Sequence, residues 1–121
     1  MSAHNAGLAR QGFAAVLRGD LDEISELLDP GVQWHGGDPD APGACHSRNE
    51  ALAFMRRAAR RRPMGELVDV VDAGERVVVI IRPKGKDSAP VANVSTFRDG
   101  KVVEMVHYAD VEQALADARG D

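Results

Sequence analysis

A chain of 121 residues can build one hydrophobic core and is too short for two. Hydrophobic residues make up 44% and charged residues 28%, which describes a globular domain and excludes a disordered or membrane-embedded one. The net charge of −4 argues against nucleic acid as the partner, because phosphate binding draws on a basic face.

Single-domain organisation over residues 1–121 is therefore expected. No apolar run approaches the roughly eighteen residues a membrane span requires, so no membrane partner is expected either. The segment Met1-Ser2-Ala3-His4-Asn5 has no basic stretch followed by an apolar block. No secretory signal is expected, and a cytoplasmic location is the simplest expectation. The single cysteine, Cys45, excludes an intrachain disulfide and a cysteine-based zinc site.

From Asn5 to Arg18, Leu8, Phe13, Val16 and Leu17 recur at helical spacing, and Gly19 supplies a C-cap. Asp20, with Glu23 three residues on, predicts the cap of a second helix bearing Leu21, Ile24, Leu27 and Leu28, stopped by Pro30-Gly31. Val32-Gln33-Trp34-His35 alternates apolar and polar residues, as a half-buried strand does. Gly36 to Gly43 is rich in glycine and proline and predicts a loop. A third helix is expected from about Arg48 to Arg62, capped near Ser47 or Asn49. Ala51, Leu52, Met55 and Ala59 would face inward, and Pro63 and Gly65 would end the helix. Its arginines 56, 57, 60, 61 and 62 spread around the helix and suit a solvated surface better than an anion site.

The rest predicts a meander. Leu67–Val71 and Val77–Ile81 flank a turn at Ala73-Gly74-Glu75, and Lys84–Ala89 would be a hairpin loop. Val77–Ile81 is apolar on both faces, so both need a cover: the helices on one side and another subunit on the other. Val91–Phe97, Arg98-Asp99-Gly100 and Lys101–Tyr108 form the clearest hairpin, and Asp110 could cap a short last helix through Leu115.

This order of three helices, one early strand and a meander resembles the nuclear-transport-factor-two-like superfamily. The chain is similar in particular to its SnoaL-like family. The resemblance is carried by Gly19-Asp20-Leu21-Asp22, Asp29-Pro30-Gly31-Val32-Gln33-Trp34-His35 and Phe97-Arg98-Asp99-Gly100-Lys101-Val102-Val103-Glu104, followed by Tyr108 and Asp110. It implies an α+β fold in which a cone-shaped, curved antiparallel sheet wraps around three N-terminal helices, a cystatin-like α+β barrel. It also implies a pocket for a small apolar organic ligand, and often a homodimer through the outer face of the sheet. Relatives include polyketide cyclases, ketosteroid isomerases, dehydratases, epoxide hydrolases and non-catalytic proteins, so the fold alone names no reaction.

Two registers are open for the closing hairpin. A two-residue Asp99-Gly100 turn sets Arg98 opposite Lys101 and Val94 opposite Met105. A three-residue turn sets Phe97 opposite Lys101, and Asn93, Ser95 and Phe97 then share a face with Val103, Met105 and His107. The second is preferred, because Arg-Asp suits a type I turn and because it gathers polar groups among apolar ones, as a ligand pocket requires.

On that register His107 is the first catalytic candidate, a proton carrier near neutral pH, and Asn93 a neutral donor to a ligand oxygen. Asp110 is the weaker candidate, with helix capping as its competing role. Trp34 is expected to line the cone, and Phe13, Leu17, Phe54 and Met55 to form core or pocket wall. Ser95, Phe97, Val103, Met105 and Tyr108 complete the expected pocket. His35 alternates away from Trp34, and His46 suits a loop near the mouth. The isomerase branch of the superfamily uses a carboxylate base, a tyrosine and a protonated aspartate. Here those positions fall at Gly36, Gly12 and Asn93, so isomerisation by that route is not expected.

No metal site is expected from His35, Asp38, Asp40 and His46, which lack regular ligand spacing, and no cofactor motif is present. Two functions stand side by side. One is a cofactor-free isomerase, cyclase or hydrolase working by acid/base chemistry on a small apolar oxygenated substrate. The other is a non-catalytic ligand-binding or dimeric interaction module.

Overall fold

The computed structural model describes residues 2–61, 65–83 and 89–120. Its elements are α1 (Ser2–Arg18), α2 (Leu21–Leu27), β1 (Leu28–His35), α3 (Arg48–Arg61), β2 (Glu66–Ala73), β3 (Arg76–Arg82), β4 (Val91–Arg98), β5 (Lys101–Tyr108) and α4 (Val111–Arg119). The expected loop at Lys84–Ala89 falls almost wholly outside the described residues, as do Arg62 and Pro63. The side chains of Ala59, Arg60 and Arg61 are likewise not described.

Local chemistry explains the helix boundaries. Gly19 takes the left-handed conformation, φ 72°, that closes α1, and the Asp20 carboxylate accepts from Glu23 N–H at 3.1 Å to open α2. Glu23 turns its own carboxylate to Arg18 and Gln11. The Ser47 hydroxyl caps α3 by accepting from Glu50 N–H. Helix α2 ends at Leu27, three residues before the expected Pro30-Gly31 stop, and Leu28 begins the strand instead. A break in pairing between Leu28 and Gln33 lets β1 carry Pro30, which has no N–H to donate.

The five strands form one curved, unclosed sheet in the order β1-β5-β4-β3-β2. The meander from β2 to β5 is antiparallel, but β1 runs parallel to β5, so the sheet is mixed rather than wholly antiparallel. On its inner face Leu28, Val77, Val79, Ile81 and Met105 join one core with Phe13 of α1, Ile24 of α2 and Ala51 of α3. On its outer face Val78, Ile80, Ala92 and Val94 pack against Ala114 and Ala118 of α4. The alternation of β3 is thus satisfied within one chain. The second cover, expected from another subunit, is α4, which runs past Leu115 to Arg119 and ends at Gly120, φ 78°.

The closing hairpin departs from the preferred register. Asp99 and Gly100 both have positive φ, 53° and 78°, and Arg98 pairs with Lys101, giving the two-residue turn. A bulge then intervenes: Thr96 pairs with Glu104 but Phe97 with Val102. Beyond it Ser95 lies opposite Met105 and Asn93 opposite His107.

Candidate functional site

A cavity of about 120 Å³ lies between α1, α2, α3 and the inner face of the sheet. Helix α1 contributes Leu8, Gly12, Phe13 and Val16, spaced so that one helical stripe faces inward. Ile24 and Leu27 of α2, Leu28 and Trp34 of β1, and Met55 of α3 continue the wall. The sheet supplies its alternate residues: Val79 and Ile81, then Asn93, Ser95 and Phe97, then Val102 and Met105. Leu8, Val16, Trp34 and Met55 are only half buried and form the rim.

Apart from Asn93, Ser95 and the Trp34 indole N–H, the side chains in this lining are apolar, and no charged one is among the described residues. The Oδ1 atom of Asn93 is buried and has no hydrogen-bond partner. An unpaired buried acceptor costs about 1–3 kcal/mol, so this atom is a standing demand for a donor. Ser95, two residues along the same face, is also buried.

Several expected site residues lie elsewhere. His107 stands opposite Asn93 but is exposed near the end of β5 and does not line the cavity. Asp110 caps α4, its carboxylate accepting from Glu112 and Gln113 N–H. Tyr108 points to the outer face, where its hydroxyl donates to Asp117 at 2.7 Å. Burial, then that hydrogen bond, push the Tyr108 phenol up to about 12.

Val103 is the extra residue of the bulge, and Val102 takes the wall position expected of it. Leu17 is 55% exposed, near the end of α1 and off its inward stripe. Phe54 is 39% exposed and packs edge-on against Trp34, ring centres 4.9 Å apart, backing the wall without lining it. Phe13, Trp34, Met55, Asn93, Ser95, Phe97 and Met105 do meet at the cavity. Val79 and Ile81 were not singled out from sequence, although alternation along β3 already put them on one face.

The histidines of the β1–α3 connection are held by local bonds. The His35 ring, 6% exposed, accepts at Nδ1 from Gly37 N–H and donates from Nε2 to Glu104, each at 3.0 Å. Both ring nitrogens are therefore occupied, on the side of β1 away from Trp34. His46 Nε2 donates to the Pro39 carbonyl at 2.6 Å and its ring is exposed. Cys45 is buried and its main chain pairs with that of Trp34, closing the loop. Desolvation, with a smaller contribution from Glu50, raises its thiol pKa. Among the described residues no group of three His, Cys, Asp or Glu is arranged to hold a metal ion.

A second recess, about 420 Å³, opens on the outer face beside Arg76, Glu104, Tyr108 and Asp117. Its charged groups and its phenol already partner one another or their neighbours. Tyr108 bonds Asp117, Arg76 donates to the Asp117 carbonyl at 2.9 Å, and Glu104 holds His35. The unmet polar demand lies in the inner cavity.

A curved, unclosed sheet packed over three helices, with an apolar cavity between them, defines a cone-shaped α+β domain. The family model for the SnoaL-like domain matches residues 9–105, and the chain belongs to that family. Solved structures agree in fold. Bal32a, from a soil-derived mobile gene cassette, superposes with a TM-score of 0.74 at 24% identity, over 92% of this chain and 93% of that one. A candidate polyketide cyclase from Sinorhizobium meliloti gives 0.72 at 16% identity, over 84% and 93%. An NTF2-like protein from Burkholderia xenovorans LB400 gives 0.69 at 25% identity, over 98% of both chains. Comparison with curated proteins gives no match.

Proposed function

We propose that this domain binds a small, largely apolar organic molecule in the cavity between its helices and its sheet, and that binding rather than catalysis is its task. The observation that carries this reading is the composition of the wall. One buried acceptor without a partner sits among apolar side chains, and no described lining residue can exchange a proton at neutral pH. Acid/base turnover needs such a group within hydrogen-bond reach of the ligand. A thermal-shift screen of small cyclic alcohols, ketones, lactones and phenols tests the reading. A true ligand at a hundred times its Kd stabilises the domain by about 2.7 kcal/mol. If no compound raises Tm or saturates, the reading fails.

A second reading, cofactor-free acid/base catalysis, draws on one observation: His107 is the direct cross-strand neighbour of Asn93. It requires the exposed imidazole to reach a ligand over the cavity edge. Turnover of a bound compound that disappears in His107→Ala, with affinity retained, would favour it over simple binding.

A homodimer through the outer face of the sheet belongs to the same proposal. The part of that face which α4 leaves open, around Thr96 and Val106, would seat the second copy. Light scattering on Val106→Glu against the native chain checks this. A monomer in both would remove the dimer.

A further inference from the structure

We infer that the ligand is a neutral molecule about one ring in size whose hydroxyl group donates its hydrogen to Asn93 Oδ1. This rests on the proposal that the inner cavity is the binding site, and it specifies the chemistry of what enters.

Size comes first. An apolar protein cavity of about 150 Å³ accepts benzene. The space here, about 120 Å³, is of the same order and opens at a half-buried rim, so a single ring is the scale that fills it. Charge comes second. With no charged side chain among the described lining residues, a carboxylate, phosphate or ammonium group would lose its hydration without an opposite charge to replace it.

The direction of the hydrogen bond comes third. The buried atom without a partner is an oxygen, which can only accept. A ketone oxygen can accept from the Asn93 amide N–H or the Ser95 hydroxyl, but it carries no hydrogen to donate and leaves Oδ1 unpaired. A hydroxyl satisfies Oδ1 by donating, and its own oxygen stays free to accept from the Ser95 hydroxyl further along the same strand face. An aliphatic amine could donate too, but it would enter as a cation at neutral pH.

The test uses cyclohexanol, cyclohexanone and toluene, titrated into the native chain and into Asn93→Leu by calorimetry or ligand-observed NMR. The native chain should bind cyclohexanol about five- to tenfold more tightly than cyclohexanone, the factor one net neutral hydrogen bond provides. In Asn93→Leu the preference should fall to about twofold or less, with toluene binding at least as well as in the native chain. Equal affinity for alcohol and ketone in the native chain, or preference for the ketone, would overturn the hydroxyl inference while leaving the cavity as the site. Failure of all three probes to saturate the native chain would remove the site itself. Should Asn93→Leu not fold, the alcohol-to-ketone ratio in the native chain decides alone.

Discussion

Phe97 pairs with Val102 across the closing hairpin, while its neighbour Thr96 pairs with Glu104, leaving Val103 as an extra residue in β5. Side chains alternate along a strand, so this single insertion decides which of two adjacent valines reaches the cavity. Val102 is buried in its wall and Val103 is not part of it. Val102→Ala should therefore cost about 2 kcal/mol, counting the lost methyl groups and the space they leave. Val103→Ala should cost under about 1 kcal/mol. Urea unfolding measures both, and equal costs would contradict the bulge.

Asn93→Leu should raise stability by about 1 kcal/mol, because it replaces an unpaired buried acceptor by an apolar side chain of similar volume. Thermal melting of the two proteins without ligand checks this. A drop in Tm would mean that the amide has a partner in solution.

Gly12 sits on the cavity side of α1, and a Cβ there would approach the flexible Leu27 Cδ1 to 3.3 Å. Gly12→Ala should gain up to about 1 kcal/mol from helix propensity. It should also weaken binding of any cavity ligand, since the added methyl projects toward the void. Chemical unfolding and ligand titration on the same variant separate the two effects.

Gly65 has the opposite character. A Cβ at this buried position would collide with the main-chain carbonyl of Arg82, which cannot swing aside as a side-chain tip can. Gly65→Ala should destabilise by about 3 kcal/mol or more, placing it among the severe substitutions. A Tm within a few degrees of the native value would refute that contact.

Tyr108 gives a prediction in pH. Its folded pKa is raised, so the native state favours the neutral phenol. The stabilisation is fully present below the unfolded value near about 10 and is lost as pH rises through about 12. Urea midpoints measured from pH 9 to 12 should fall along the series for the native chain and fall less for Tyr108→Phe. That variant should also lose about 1 kcal/mol at neutral pH through the missing bond to Asp117.

The order of elements was legible from sequence because its signals are local. The Asp20 cap, the Gly19 and Gly100 turn positions and the two-residue alternation of the strands each depend on a few neighbouring residues. The same alternation brought Asn93, Ser95, Phe97 and Met105 onto one face, and the structure keeps them there although the turn is shorter than expected. The resemblance of the helix–strand order was equally readable, and the SnoaL-like match over residues 9–105 agrees with it.

What sequence left open was decided by partners far along the chain. Whether the outer side of β3 met a second copy or α4 depended on the placement of Ala114 and Ala118, more than thirty residues downstream of β3. Whether Leu17, Phe54 and His107 faced the void depended on where α1, α3 and β5 run out of cover, which no local pattern encodes. The bulge at Val103 is non-local in the same sense: it exists only through pairing with β4, and it sets which valine walls the cavity. Sequence chose the faces of these elements because that is intrachain geometry over two to four residues. Burial belongs to the packed whole, and only the tertiary structure assigned it.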